Sequence, residues 1–274
     1  MKKYFEYIGL LALTLFSFYY TDKVTRIMND KDPIMISIKE YKDNSKETCK
    51  EGYYTNDGVV LGVNGKIVSV NESYSNMVGK GYDESLMVFE EIKCSVNANN
   101  TLDNYIIKGN EVKNSVSLFI EVKDLSLLEK IIYIANRNDT KLNILTNGKT
   151  LEKSKEYFKN LYIEGYDIIY NGNDAEDLKL YIKTIKSFDK NNRLLCMSYN
   201  NIDNKEICSK EKINTLKTNY VYDKNLLNNT IKSFEKGGFY IYKENNVLLK
   251  ELSSLINYIN GKNLNIVSAS DIIE

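Results

Sequence analysis

The sequence contains no histidine among its 274 residues. Histidine is the commonest metal ligand in proteins and the usual general base near neutral pH. Its absence therefore excludes Ser-His-Asp and Cys-His catalysis, and it excludes every zinc site that requires imidazole.

The sequence also lacks a surplus of charge of either sign, because Lys+Arg and Asp+Glu both count 37. A surface that binds nucleic acid requires excess positive charge, so nucleic acid is not an expected partner. Hydrophobic residues make up 43% and charged residues 27% of the chain, which indicates a folded protein. The length suffices for one large domain or two smaller ones.

Cysteines are few and widely spaced, at Cys49, Cys94, Cys196 and Cys208. None of them forms a C-x-x-C pair, which disfavours a zinc knuckle or a thioredoxin-type site. They fall two in each predicted domain, and this distribution favours Cys49–Cys94 and Cys196–Cys208 disulfides formed outside the cytoplasm. Four independent buried thiols are the alternative.

The N-terminus carries an apolar segment behind a short positive start. Tyr4–Tyr20 contains one charged residue, Glu6, and is at the short end of what spans a bilayer. The segment runs into bulky Phe18-Tyr19-Tyr20 rather than an A-x-A-like cleavage pattern, and tyrosine suits a membrane interface. We expect an uncleaved signal anchor over residues 1–22, in a single-pass cell-membrane protein with its bulk extracytoplasmic. A cleaved, secreted form and a buried core helix are the alternatives.

Residues 23–112 predict a small α+β lead-in domain. Pro33 predicts that a first helix ends just before it. Asn64-Gly65 between two apolar runs predicts a β-hairpin of Val59–Val63 and Lys66–Val70.

Residues 113–274 predict a larger α/β domain that begins with the apolar strand Val116–Val122. Helices alternate with strands from there on, which favours a parallel sheet, open or closed into a barrel. The predicted helices are Leu125–Asn136, Leu151–Glu164, Ala175–Phe188, Lys210–Leu216, Leu226–Lys236 and Val247–Asn260. Glu121 lies at the carboxyl end of the first strand, where α/β folds usually place their chemistry.

The order of these segments carries a family resemblance. SLFIEV stands where the family has a strand ending in Thr-Phe-Asp-Asp, and EGYDIIYNG stands where it has Gly-His-Glu-Ile-Gly-Asn-His. GGFYIYKEN stands where the family has Gly-Ser-Ile-x-Leu-x-His-Asp. From about Asn114 to Glu274 the chain resembles the polysaccharide deacetylase (NodB-homology) family. The resemblance implies a distorted (β/α) barrel.

The resemblance also implies a site. Family members cleave the N-acetyl group from a sugar with a divalent metal held by one Asp and two His, and a second Asp is the general base. The base position falls on Glu121, the metal-binding Asp on Val122, and the two metal-binding histidines on Asn171 and Ala175. The late histidine falls on Lys243. Only Glu121 keeps the character of its counterpart, so we expect no metal and no cofactor.

The acidic run Asp174–Asp177 lies beside the lost ligands, and its oxygens could hold a hard cation. A solvated first turn of a helix is the alternative interpretation. The binding candidates at this stage are Asn171, Asp174, Lys243 and Glu244.

Three functions remain open. The first is a membrane-anchored, catalytically inactive deacetylase-like protein that binds cell-wall polysaccharide, peptidoglycan or a surface partner. The second is an active carbohydrate N-deacetylase, hydrolysing a carbon–nitrogen amide bond at a rebuilt carboxylate site around Glu121 and Asp174. The third is a purely structural surface domain. For the first, tyrosines near predicted strand ends are candidates for stacking on sugar rings, namely Tyr166, Tyr170, Tyr199, Tyr240 and Tyr242.

Overall fold

The computed structural model describes residues 2–273, and for residues 2–6, 8, 22 and 25–29 it describes the backbone alone. The helices are α1 Lys2–Asp30, α2 Pro33–Ser45, α3 Val70–Met77, α4 Leu125–Arg137, α5 Gly148–Lys153, α6 Lys155–Ile163, α7 Ala175–Phe188, α8 Lys205–Lys210, α9 Leu226–Ser233, α10 Asn246–Gly261 and α11 Ala269–Ile272. The strands are β1 Tyr53–Tyr54, β2 Val59–Val60, β3 Gly65–Val68, β4 Phe89–Ile92, β5 Tyr105–Lys108, β6 Ser115–Glu121, β7 Asn143–Thr146, β8 Ile168–Tyr170, β9 Leu195–Ser198, β10 Asn214–Lys217, β11 Val221–Tyr222, β12 Phe239–Lys243 and β13 Asn265–Ile266.

These elements form two compact units. The first unit comprises Met1–Thr48 and Gly65–Ile92, and the second comprises Cys49–Asn64 and Lys93–Glu274. The predicted division into residues 1–22, 23–112 and 113–274 stays a prediction.

The first unit contains α1 to α3 and the antiparallel pair β3–β4 around a small core. Pro33 separates the first two helices as predicted: α1 ends at Asp30, and Pro33 opens α2. The Asp32 side chain caps α2 by accepting a hydrogen bond from the Ile34 N–H at 2.8 Å.

The predicted anchor, residues 1–22, coincides with the first part of α1. Met1 and several side chains of this segment lie outside the described residues. Within the described residues, none of the helices combines the length and the apolar character that a membrane span needs.

The second unit is built on one curled sheet with the strand order β1-β2-β5-β10-β9-β8-β7-β6-β12-β11, and β13 adds to β6. All its strand pairs are parallel except β1–β2. The two ends of this order, β1 and β11, are not paired with each other among the described residues, so the sheet curls without closing into a full barrel. The predicted distorted (β/α) barrel is confirmed.

The sheet is buried on both faces, as parallel sheets usually are. Its outer face packs against the helices through β6 residues such as Leu118 and Ile120. Its inner face forms a separate cluster that joins Phe119 of β6 to Ile169 of β8 and Ile241 of β12. Because side chains alternate along a strand, Glu121 shares the inner face with Phe119.

Two predicted elements are wrong. The hairpin over Val59–Val70 does not form, because β2 pairs with β1 and β5 whereas β3 pairs with β4. Instead of closing a two-residue turn, the Asn64 side chain accepts a hydrogen bond from the Cys94 N–H at 2.9 Å. The predicted helix Lys210–Leu216 does not form: α8 ends at Lys210, and residues 214–216 lie in strand β10, which pairs with β5 and β9 through its backbone. Pairing in the sheet here overrides local helix propensity.

Both disulfides favoured by the cysteine distribution are present, Cys49–Cys94 and Cys196–Cys208. Cys196 lies on β9 and Cys208 on α8, so the second disulfide joins the sheet to a helix that covers its outer face.

Candidate functional site

Four polar side chains converge at the carboxyl ends of the barrel strands, and we call them the mouth cluster: Glu121, Asn171, Tyr199 and Lys243. Glu121 ends β6 and Lys243 ends β12, while Asn171 and Tyr199 directly follow β8 and β9. Glu121 pairs in register with Lys243 on one side and with Leu145 of β7 on the other. Residues paired in register point to the same face, so both side chains project from the inner face.

Tyr199 lies between Asn171 and Glu121 and interacts with both. Its hydroxyl accepts a hydrogen bond from Asn171 Nδ2 at 3.1 Å. Burial raises the pKa of Tyr199, and the nearby Glu121 carboxylate raises it further, so the hydroxyl remains a neutral donor at physiological pH. The structure therefore brings together Glu121 and Asn171, which the resemblance assigns to the base and first-ligand positions.

Glu121 is half-buried, and its Oε2 atom is buried without a hydrogen-bond partner among the described residues. Its register neighbour Lys243 thus does not bond to that oxygen. An acceptor left in this state raises the free energy of the folded protein unless a donor reaches it. The mouth accordingly presents a carboxylate able to accept a hydrogen bond.

The residues at the aligned ligand positions do not fit a divalent metal. Val122 is partly buried against the helix-facing core and carries no donor atom, and neither does the exposed Ala175 at the start of α7. Asn171 offers a neutral amide whose nitrogen is already bonded to Tyr199. Catalytic zinc needs three protein ligands and an open position, which this set does not supply.

Elsewhere in the described residues, Cys49, Glu51 and Cys94 are the only close group of three metal-ligand side chains. Both of these cysteines are joined in a disulfide, so their sulfurs are not thiolate ligands.

The acids after β8 have local structural roles. Asp174 is the N-cap of α7 and accepts hydrogen bonds from the Glu176 and Asp177 N–H groups at 2.8 and 2.9 Å. These bonds lower the pKa of the Asp174 carboxyl. Asp177 is buried and accepts hydrogen bonds from the Gly148 and Lys149 N–H groups at 2.8 and 2.9 Å. A Cβ on Gly148 would lie 2.1 Å from the Asp177 carbonyl oxygen, so this contact requires glycine.

Glu244 also stabilises a loop. It is 7% exposed, and its Oε2 accepts hydrogen bonds from the Lys123 and Asp124 N–H groups at 2.6 and 2.7 Å. Burial raises the pKa of the Glu244 carboxyl, although these two hydrogen bonds oppose the shift. Glu244 thus fixes the loop from β6 to α4, on which the position of Glu121 depends.

The loop role of Glu244 predicts the effect of removing its side chain. Glu244→Ala leaves the Lys123 and Asp124 N–H groups without their acceptor and should lower the free energy of unfolding by about 2 kcal/mol, measured by urea denaturation. Glu244→Gln keeps an acceptor and should cost less. Because the folded pKa is raised, wild type should lose stability relative to Glu244→Gln as pH rises above 4.5 through the folded pKa. Equal costs for both variants would contradict this role.

All five tyrosines considered as candidates for stacking on sugar rings are buried, with at most 4% of each exposed. Tyr166, Tyr170, Tyr240 and Tyr242 are at most 1% exposed and pack in the helix-facing core. Tyr199 alone of the five belongs to the inner-face cluster, where its hydroxyl meets the mouth.

The sequence did not reveal Asn204, which braces the loops at the mouth. This buried amide donates hydrogen bonds to the Gly172 and Met197 carbonyls and accepts one from the Ser198 hydroxyl at 2.8 Å. It holds the segments after β8 and β9 together, and with them Asn171 and Tyr199. No local pattern distinguishes it from the many other asparagines.

No protein-family profile matches the sequence, and no curated protein matches it. Solved structures do match. A CE4 family pseudoenzyme from Bacillus anthracis aligns with a TM-score of 0.64 at 15% identity, covering 89% of this chain and 96% of that chain. A mutant of that pseudoenzyme with restored enzymatic activity aligns with the same TM-score at 14% identity, covering 89% and 98%.

The Bc1960 peptidoglycan N-acetylglucosamine deacetylase aligns with a TM-score of 0.55 at 14% identity, covering 62% of this chain and 92% of that chain. The likeness to the pseudoenzyme thus extends over more of the chain than the likeness to this deacetylase. Both likenesses concern the fold, and they agree with the curled, open barrel of the second unit. The chain therefore has the fold of the CE4 polysaccharide deacetylases, in a divergent form without the metal-binding histidines.

Proposed function

We propose that this chain is a membrane-anchored, extracytoplasmic deacetylase-like protein that has lost hydrolytic activity and binds cell-wall glycan at the barrel mouth. One observation carries the proposal: the mouth keeps the carboxylate Glu121 among polar groups, whereas the aligned ligand positions hold Val122 and Ala175. Polar groups that converge at the mouth of a barrel are typical of a binding site.

The loss of hydrolysis follows from the missing ligands. A bound metal lowers the pKa of water to about 7 and polarises the carbonyl that the water attacks. Glu121 alone supplies a base but neither of these effects. The rebuilt carboxylate site is not favoured, because Asp174 and Asp177 accept hydrogen bonds from backbone N–H groups that they hold in place.

Membrane anchoring is supported by the side chains of α1. Those described between Leu10 and Tyr20 are exposed throughout, and Phe18 is 76% exposed. Thr14 donates to the Leu10 and Leu11 carbonyls, so its hydroxyl is satisfied within the helix, as lipid requires. The two disulfides support an extracytoplasmic location for the second unit.

Acetate release tests the loss of hydrolysis. The full chain in detergent, with and without added Zn²⁺, is expected to release no acetate above background from an N-acetylglucosamine tetramer. The Bc1960 peptidoglycan N-acetylglucosamine deacetylase serves as the positive control for the assay. Metal-stimulated release that Glu121→Gln abolishes would instead establish the active N-deacetylase.

Glycan binding is tested separately, by sedimentation of the full chain with peptidoglycan sacculi. Asn171→Ala removes an amide from the mouth and should weaken binding about tenfold, the equivalent of one hydrogen bond. Asn257→Ala, on the exposed side of α10, makes the same chemical change away from the mouth and should leave binding unchanged. No binding by wild type would contradict this proposal and favour the purely structural role.

A further inference from the structure

Glu121 is the one carboxylate of the mouth cluster, and its surroundings are uneven. On the β12 side its register neighbour is the cation Lys243, whereas on the β7 side it is the apolar Leu145. Beyond Leu145 lie the neutral groups of Asn171 and Tyr199 on the next two strands. A positively charged ligand group is therefore repelled from one side of Glu121 and meets only neutral groups on the other.

One oxygen of the Glu121 carboxylate, Oε2, also lacks a hydrogen-bond donor among the described residues. Tyr199 interacts with Glu121, yet Oε2 remains buried without a partner among the described residues. The terminal torsion of a glutamate side chain is broad, so a half-buried Glu121 can turn either oxygen toward a ligand. A charged donor makes a hydrogen bond to a carboxylate roughly twice as strong as a neutral donor does.

We infer that the mouth binds amino sugars whose nitrogen is free and protonated, in preference to N-acetylated sugars. This inference rests on the proposed glycan-binding function and specifies its ligand. The ammonium group of a glucosamine unit donates to Glu121 from the β7 side, away from Lys243. The ring hydroxyls of the same sugar meet the Asn171 amide and the Tyr199 hydroxyl.

The preference follows from the different hydrogen-bonding groups of the two sugars. A free amine is charged and offers three N–H donors to an acceptor-only carboxylate. An acetamide offers one neutral N–H, together with a carbonyl oxygen that requires a donor where Glu121 has none. The ligand is thus a product of amide hydrolysis on an N-acetyl sugar, and a deacetylase must act on the glycan before this chain binds it.

Calorimetry with two tetramers of equal length tests the inference. Wild-type chain in detergent is expected to bind the tetramer of glucosamine at least tenfold more tightly than the tetramer of N-acetylglucosamine. Glu121→Gln should remove most of this difference. Glu206→Gln makes the same change of charge on the surface of α8, where the side chain is 83% exposed, and should preserve the difference.

The outcomes separate this inference from the proposed function. Equal binding of both tetramers, or tighter binding of the acetylated one, would overturn the amino-sugar preference while leaving glycan binding intact. A preference that survives in Glu121→Gln would also overturn it, because the attraction would then come from the net field of the protein. If neither tetramer nor sacculi bind, both proposals fail together.

Discussion

Val122→Asp, Asn171→His and Ala175→His introduced together are expected to give the chain metal-dependent deacetylase activity. The triple substitution supplies one carboxylate and two imidazoles, the three-ligand set with an open position that catalytic zinc uses. Glu121 would supply the general base, and a bound metal would lower the pKa of water. Titration calorimetry with ZnCl₂ should show a single site with affinity in the micromolar range or tighter, and acetate release should become measurable.

Each part of this expectation has its own control. Adding Glu121→Gln to the triple variant should preserve metal binding and abolish acetate release, which separates the ligands from the base. Asn171→His alone should not retain zinc, because one imidazole is insufficient.

The main structural obstacle lies at Val122. Its side chain packs against the helix-facing core, so an aspartate there must turn toward the mouth, which its polarity favours. Failure of a correctly folded triple variant to bind zinc would show that the residue-by-residue alignment of the mouth is wrong. Folding is checked by comparing urea transitions with wild type.

Much of the barrel was predictable because parallel strands buried on both faces are nearly continuous apolar runs. SVSLFIE forms β6 with six buried residues followed by half-buried Glu121, as the sequence indicates. The helix Ala175–Phe188 was predicted with its observed bounds, since Asp174 is a strong cap and Asp189 ends an amphipathic pattern.

What could not be predicted depends on contacts between distant segments. Strand β2 joins β5 across more than forty residues, and nothing local distinguishes that pairing from a hairpin at Asn64-Gly65. The link from Glu121 through Tyr199 to Asn171 requires three strands brought together by the curl of the sheet. The sequence likewise predicted Asp174 as a binding residue. An aspartate between a strand and a helix can either cap the helix or bind a ligand, and the sequence does not distinguish these two roles.

The two disulfides should contribute differently to stability. Cys49–Cys94 closes a loop with a sequence separation of 45, and Cys196–Cys208 closes one of 12. Loop entropy then predicts that replacing each pair by alanine costs about 4 and about 3 kcal/mol of unfolding free energy. Urea denaturation of the two double variants measures both costs. A larger loss from the shorter loop would show that packing around buried Cys196 and Cys208 outweighs loop length.

Loss of glycan binding should follow the opposite order: the variant without Cys196–Cys208 should lose more binding than the variant without Cys49–Cys94. Cys196 lies on β9, three residues before Tyr199, and the disulfide fixes this strand to α8. Releasing it should loosen Tyr199 and weaken binding to sacculi several-fold under conditions where the variant remains folded. Removing Cys49–Cys94 costs more stability but touches no strand of the mouth cluster, so binding should persist. Equal loss of binding in both variants would mean that the mouth depends only on the overall stability of the fold. The Cys196–Cys208 disulfide would then have no specific role in positioning Tyr199.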